Sequence, residues 1–356
     1  MKHVGMGAAA LATLMLLGGC SGAAPEATLA NIPAAIPPPP LAAPGASCDA
    51  RYGNPPRPEV NSITGLLQLA SVCTSLLGES LSYTDANGTP RSACLVSPPG
   101  TAPNSPRPLL VWLHPSLFPI DSIYITDLPA RLYTADLSGD ATRPGYSLLL
   151  VSGRDTEHFY PFPDDTGLGW DNWYRNLDRS SPALNVDVAA IDHFIAEVKA
   201  RDIVDEKRVY LSGWSNGSAM AQLYGLNTPG IAAAAVYSAP NPFDDSTDPC
   251  PQAAFGNNKL AMLHVGNHCD IIGICNSSEA LLGELETRGL AAPVESIRVD
   301  ALLREVQGCA TESFCLAPEN PANVVQLTDI GTVNHLRWPF GYTDRMLAFL
   351  KAHPLP

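Results

Sequence analysis

Six short, mostly apolar runs constrain what this chain can build: Leu109–Leu113, Tyr146–Val151, Val209–Ser212, Ile231–Tyr237, Leu260–Val265 and Val324–Leu327. They are continuous rather than alternating, the pattern of strands buried on both faces of a parallel sheet. Helical patterns separate them. Val188, Ile191, Phe194, Ile195 and Val198 share one helical face, with Asp187 as candidate cap. Residues 63–77 fit a short helix, and Thr343–Ala352 fits a last one. Ahead of the first run, Ser80–Thr84 and Arg91–Val96 flank Asp85-Ala86-Asn87-Gly88, and Asn-Gly between two such segments signals a hairpin. An N-terminal antiparallel hairpin followed by alternating strands and helices predicts an α/β fold. Its central sheet is mostly parallel, with helices on both faces. No internal repeat is visible.

Hydrophobic residues make up 46% of the 356 and charged residues 16%, which fits a globular chain with a large core. A net charge of -14 leaves no basic patch to replace phosphate counterions, so no nucleic acid is expected as partner. Lys2 and His3 precede an apolar stretch, Ala8 to Leu17, too short to span a bilayer, and Leu17-Gly18-Gly19-Cys20 follows. That ending resembles the bacterial lipobox, whose cysteine is acylated and becomes the mature N-terminus. Residues 1–19 are therefore expected to be a lipoprotein signal peptide. Residues 20–47, rich in Pro and Ala and including Pro37 to Pro40, form a lipidated tether, and 48–356 the folded domain. The expected location is the bacterial cell envelope, the membrane being touched only through the lipid on Cys20.

Beyond Cys20 stand eight cysteines: Cys48, Cys73, Cys94, Cys250, Cys269, Cys275, Cys309 and Cys315. An even number in an exported chain predicts disulfides. The close pairs Cys269 with Cys275 and Cys309 with Cys315 are favoured because they close small loops. No Cys-x-x-Cys or His-rich spacing suggests a metal. The acidic pairs Asp164-Asp165 and Asp244-Asp245 lack calcium-loop spacing and read as solvated turns. No cofactor or metal is expected.

The chemistry centres on Gly213-Trp214-Ser215-Asn216-Gly217. Gly-x-Ser-x-Gly alone arises by chance in roughly one chain of this length in ten, so its flanks decide. Arg208–Ser212 before it reads as a buried strand, and Ser218–Tyr224 after it as a helix. Strand, tight turn and helix hold a serine hydroxyl above a sheet edge, and the glycines leave room for the turn. A serine nucleophile needs a base and an orienting carboxylate, which on such a sheet follow in the order Ser, Asp or Glu, His. Of the downstream histidines, His264 lies within a strand run, His268 just after it, and His353 at the chain end. His335, between the last run and the last helix, is the candidate base. Asp270 is the favoured carboxylate, five residues past a strand run and followed by Ile271-Ile272, a buried apolar pair expected to help fix it. Asp244, Asp245 and Asp248 remain rivals. The oxyanion donors are expected to be the backbone N–H of Asn216 and one after the third strand. Pro115 has no N–H, which favours Ser116 over Leu117. His114, upstream of the serine, reads as structural.

Asp187-Val188-Ala189-Ala190, then Asp205-Glu206-Lys207-Arg208-Val209-Tyr210, then Gly213 to Met220 stand in the order of a known signature. From about Ser80 onward the chain resembles the secreted esterase and poly(3-hydroxybutyrate) depolymerase group of α/β-hydrolases, which includes feruloyl and acetylxylan esterases. Trp170-Asp171-Asn172-Trp173-Tyr174 is similar to that group's Trp-rich segment. There are three departures. The group's His-Gly is His114-Pro115 here, its His-Gly-x-x-Asp is stretched across His264 to Asp270, and its His-x-Trp-Pro is one residue longer, at His335 to Pro339. The resemblance implies a carboxylic-ester hydrolase working through an acyl-enzyme, and a monomer is expected. Its expected substrate is an extracellular ester, either a polyhydroxyalkanoate-type polyester or oligomer or a plant cell-wall feruloyl or acetyl ester. A serine peptidase of the same fold and a catalytically inactive surface-binding lipoprotein are the alternatives. Trp170, Trp173, Trp214, Trp338 and Phe118 are candidate substrate-platform residues, with core packing the competing reading.

Overall fold

The computed structural model describes residues 62–116, 120–158, 165–170, 177–243, 256, 258–311, 315 and 330–356. The expected signal and tether, with Cys20, Cys48 and Cys250, lie outside them, as does the Val324–Leu327 run. In chain order the elements are α1 (Ser62–Ser75), β1 (Glu79–Thr84), β2 (Pro90–Val96), β3 (Arg107–Leu113), α2 (Leu128–Arg131), β4 (Ser147–Val151), β5 (Arg154–His158) and β6 (Asp165–Gly169). There follow α3 (Val186–Lys199), β7 (Val204–Trp214), α4 (Asn216–Asn227), β8 (Ala233–Tyr237), β9 (Leu260–Asn267) and α5 (Ile274–Thr287). The last are β10 (Ala291–Val299), β11 (Glu305–Val306), α6 (Ile330–His335) and α7 (Thr343–Ala352).

Nine strands form one sheet in the order β1-β2-β4-β3-β7-β8-β9-β10-β11, and β5 pairs with β6 in a separate two-stranded sheet. From β4 to β10 every neighbouring pair is parallel. The hairpin β1–β2 is antiparallel, as expected from its Asn-Gly turn, where Gly88 takes φ +81° and Asp85 accepts from the Asn87 and Thr89 N–H groups. The continuous apolar runs have a simple cause. Alternate residues of each strand feed opposite cores. Leu109, Val111, Leu113, Val209, Leu211, Val236 and Met262 face one core, which α3 and α4 cover. Leu110, Trp112, Tyr210, Ala235, Leu263 and Val265 face the other, which α1 and α7 cover. The described residues share one compact unit.

This strand order creates a switch point. The chain leaves β3 toward β4 on one side and returns to β7 on the other, so the strand order reverses between β3 and β7, the place where parallel sheets carry sites at the carboxyl ends of their strands. The β3–β7 register sets Leu113 beside Gly213, and just beyond it the Leu113 and His114 carbonyls lie against Gly217.

Three expectations need correction. Asp187 is not the cap of α3: Asn185 accepts the Val188 N–H, while Asp187 lies buried in the first turn, 2.6 Å from the Arg91 guanidinium. The short-loop disulfides do not form. Cys269 joins Cys315 and Cys275 joins Cys309, with Cα separations of 4.9 and 5.7 Å, while Cys73 joins Cys94. The reason lies in packing. The Ala310 N–H donates to the His268 carbonyl and the His268 ring bonds the Gly308 carbonyl, so residues 308–310 run alongside the loop after β9 and cross-pairing becomes the short path. Finally, His335 ends a helix, α6, rather than sitting in an open loop.

Candidate active site

Ser215 occupies the turn between β7 and α4 with φ +54° and ψ -122°, a conformation that costs a non-glycine residue about 1–3 kcal/mol. Its N–H donates to the Tyr237 carbonyl of β8 (3.0 Å) and its carbonyl accepts from Ala219 (3.0 Å), so the turn is held at both ends. The two flanking glycines are sterically required. A methyl on Gly217 would fall on the Leu113 and His114 carbonyls, and one on Gly213 would strike the Gly217 backbone. That close approach is what brings the loop after β3 against the start of α4.

His335 Nε2 lies 2.9 Å from Ser215 Oγ, and His335 Nδ1 lies 2.7 Å from Asp270 Oδ1. With the Nδ1 proton donated to the carboxylate, Nε2 is left as an acceptor for the serine proton. Asp270 is 1% exposed and His335 6%, whereas Ser215 is half-buried and reachable. The rival carboxylates Asp244, Asp245 and Asp248 lie outside the described residues.

What fixes Asp270 differs from the sequence expectation. Of the Ile271-Ile272 pair, Ile271 is only half-buried, and the side chain of Ile272 is outside the described set. Hydrogen bonds hold the carboxylate instead. The Ile271 N–H donates to Oδ1 (2.8 Å) and the Ser238 hydroxyl to Oδ2 (2.7 Å), with the Asn267 amide 3.3 Å from Oδ2. The helix carrying His335 rests on the same loop. Gly331 packs on the Asp270 backbone, and Asn334 Nδ2 donates to the Cys269 carbonyl (3.0 Å). The Trp214 indole N–H donates to the His335 carbonyl (3.0 Å), tying β7 to α6. Ser238, Asn267 and Asn334 had no sequence signal beyond their places at the end of a strand run or beside His335.

Asn216 is the first residue of α4, where backbone N–H groups lack intrahelical acceptors and the helix dipole favours negative charge. Its side chain clamps Trp170 from both sides, accepting the Trp170 N–H (2.7 Å) and donating to its carbonyl (3.1 Å). Ser116 is half-buried beyond β3, and Leu117, Phe118 and Pro119 are outside the described residues. His114 is buried with both ring nitrogens engaged: Nε2 accepts from the Gly153 N–H (2.9 Å), and Nδ1 bonds the Pro115 carbonyl (2.9 Å).

The described tryptophans do not make an exposed platform. Trp170, Trp214 and Trp338 are each 1% exposed. The indoles of Trp170 and Trp338 also donate internally, to the His114 carbonyl (2.8 Å) and the Thr343 hydroxyl (3.0 Å). Trp338 meets Trp112 and Tyr237 edge to face and Trp214 at a tilt, and Trp214 meets Tyr237 at a tilt, in an aromatic cluster beside the site. Trp173 lies outside the described residues. A cavity of about 320 Å³ lined by Tyr83, Arg179, Asp192 and His193 contains none of Ser215, Asp270 or His335 among its walls.

The sheet order, the serine turn after β7, the carboxylate after β9 and the histidine before the last helix define an α/β-hydrolase fold. The sequence matches no protein-family model and no curated protein. Among solved structures it is similar to a thermostable esterase, at 14% identity over 78% of this chain and 63% of that one, with a TM-score of 0.47. A hyperthermophilic esterase from the archaeon Pyrobaculum calidifontis aligns at 12% identity over 82% of this chain and 94% of that one, with a TM-score of 0.46. The LpqC poly(3-hydroxybutyrate) depolymerase from Bordetella parapertussis aligns at 16% identity over 63% and 84%, with a TM-score of 0.44. The chain spans less than two thirds of the thermostable esterase, and about a third (33%) of the dipeptidyl peptidase 4 from Porphyromonas gingivalis.

Proposed function

We propose that this chain is a serine hydrolase of carboxylic esters that works through an acyl-enzyme. The observation carrying the reading is the unbroken line Ser215 Oγ–His335–Asp270, at 2.9 and 2.7 Å, at the carboxyl edge of the sheet. In the proposed reaction Ser215 Oγ attacks the ester carbonyl carbon as its proton passes to His335 Nε2. Asp270 steadies the imidazolium, and the Asn216 and Ser116 amides hold the tetrahedral oxyanion. His335 then protonates the departing alcohol, leaving an acyl group on Ser215. A water molecule, losing its proton to His335, attacks that acyl group and releases the acid.

The substrate class follows from the resemblance of the segments around Asp187, Arg208 and Ser215. It is an extracellular ester, either a polyhydroxyalkanoate-type polyester or oligomer or a cell-wall feruloyl or acetyl ester. Disulfides at Cys73–Cys94, Cys269–Cys315 and Cys275–Cys309 favour an oxidising compartment, and the lipobox-like Cys20 a lipid anchor there. Ser215→Ala is expected to lower p-nitrophenyl acetate or butyrate turnover by about 10⁴-fold or more, with unchanged circular dichroism. A fluorophosphonate probe should label the wild type and not the variant. Full turnover by the variant would remove the mechanism. A panel of ester chain lengths with feruloyl, acetylxylan and polyhydroxybutyrate substrates then decides the acyl and alcohol preference.

A further inference from the structure

We infer that Ser238 is a positioning residue of this site: its hydroxyl, donated to Asp270 Oδ2, holds the carboxylate with its other oxygen facing His335. The inference rests on the hydrolase reading of Ser215, His335 and Asp270. Three observations converge on it.

The first is the direction of the hydroxyl. Ser238 Oγ is 2.7 Å from Asp270 Oδ2 and 3.1 Å from Asn267 Nδ2. The amide can only donate, so it occupies a lone pair of Oγ and leaves the single hydroxyl proton for the carboxylate. Asn267 is itself fully buried, its amide also within reach of the Tyr237 hydroxyl (2.9 Å) and the Asn334 carbonyl (3.2 Å). The donor is thus itself held in place.

The second is the backbone. Ser238 is the first residue past β8, 1% exposed, with its N–H on the Val265 carbonyl (2.9 Å) and φ at +47°. Glycine takes that region without steric cost, and serine does not. What serine adds at this position is the hydroxyl, and the hydroxyl points at Asp270.

The third is the distribution of donors on the carboxylate. Oδ1 accepts from His335 Nδ1 and the Ile271 N–H. Oδ2 relies on Ser238 at 2.7 Å, with Asn267 longer at 3.3 Å. A carboxylate turns about its Cβ–Cγ bond, and a short bond on the far oxygen opposes that turn. It also spreads charge away from the oxygen facing His335. The ionisable groups around Asp270 are His335 of α6, Tyr237 of β8 and Arg298 of β10. Burial pushes the Tyr237 phenol well up, so it stays neutral, with Arg337 acting on it from beyond. Arg298 is paired with Glu279.

Ser238→Ala and Ser238→Gly, in the full chain, are assayed beside the wild type with p-nitrophenyl acetate, kcat and KM being read separately. The expected result for both is a fall in kcat of about 10-fold, with KM changed less than about twofold. Glycine relaxes the positive φ, so Ser238→Gly keeps the turn even where Ser238→Ala fails to fold. Wild-type kcat in Ser238→Gly would overturn the role, because the residue would then serve only the turn. A wild type that neither turns over ester nor labels with fluorophosphonate would sink the hydrolase reading, and this inference with it. A working wild type beside an equally active Ser238→Gly sinks the role of Ser238 alone.

Discussion

Ser215 and Ser238 end adjacent parallel strands, and both stand in left-handed backbone, at φ +54° and +47°. One strain presents a hydroxyl to His335 and the other presents a hydroxyl to Asp270. A buried histidine behaves differently. His264, within β9, is 1% exposed, and Ser278 Oγ lies 2.9 Å from its Nδ1. Burial first, and the Arg298 guanidinium second, push its pKa from 6.5 down to about 3. The folded chain therefore keeps His264 neutral where the unfolded chain protonates it. The unfolded state binds the extra proton, so stability is full above about pH 6.5 and drains away as the pH falls toward 3. This one group contributes a slope of up to about 1.4 kcal/mol per pH unit in that window. Urea unfolding of His264→Gln across the same range should show a shallower loss than wild type. Equal slopes would mean that His264 titrates in the fold as freely as outside it. At this scale the sequence was legible where chain order constrains roles. Ser215, Asp270 and His335 are brought together as their order implies. Ser238 was not legible, because a lone serine after a strand is common and only its φ and its partner set it apart.

Among elements, legibility follows the periodicity. Strands β3, β4, β7, β8 and β9 were visible because both their faces are buried. Strand β10 was hidden: Ala291–Val299 mixes Pro293, Glu295 and Arg298 with its apolar residues, and its register slips between Ala291 and Val294, where the proline falls. Helix α6 was hidden too, since Gly331, Thr332 and Asn334 are poor helix formers. Tertiary contact forms it, through Gly331 against the Asp270 backbone and Asn334 against the Cys269 carbonyl. The disulfides divide along the same line. Cys73–Cys94 staples α1 to β2, far along the sheet from β9. Cys269–Cys315 begins at the residue before Asp270. Replacing Cys73 and Cys94 by serine should cost about 3 kcal/mol of stability with kcat unchanged in the folded fraction. Replacing Cys269 and Cys315 should lower kcat as well, because the acid loop loses its tie. Denaturant midpoints with active-site titration separate the two effects, and equal kcat in both variants would detach the second disulfide from the site.

The whole molecule is organised by the fact that both cores share one sheet. Leu109, Val111 and Leu113 enter the first core while Leu110 and Trp112 enter the second, from a single strand whose every residue is buried. Neither core can lose its strands without exposing the other, so the two are coupled through every strand from β4 to β9. A chain of 356 residues would ordinarily be expected to unfold through intermediates. Here the geometry argues for one transition in the domain built on the nine-stranded sheet while the disulfides stay intact. Natural reporters exist on both sides: Trp112, Trp214 and Trp338 lie in the second core and Trp170 in the first. Replacing Trp170 and Trp173 by Phe leaves the tryptophan signal to the second core, and far-ultraviolet circular dichroism reports helices on both faces. In equilibrium urea unfolding the fluorescence, dichroism and ester-turnover midpoints are expected to coincide. If the second-core fluorescence were lost at lower urea than the dichroism, the cores would be separable and the shared sheet would not be the coupling element. Coincidence would also mean that the line from Ser215 to Asp270, built where the strands of both cores end, melts only when the sheet does.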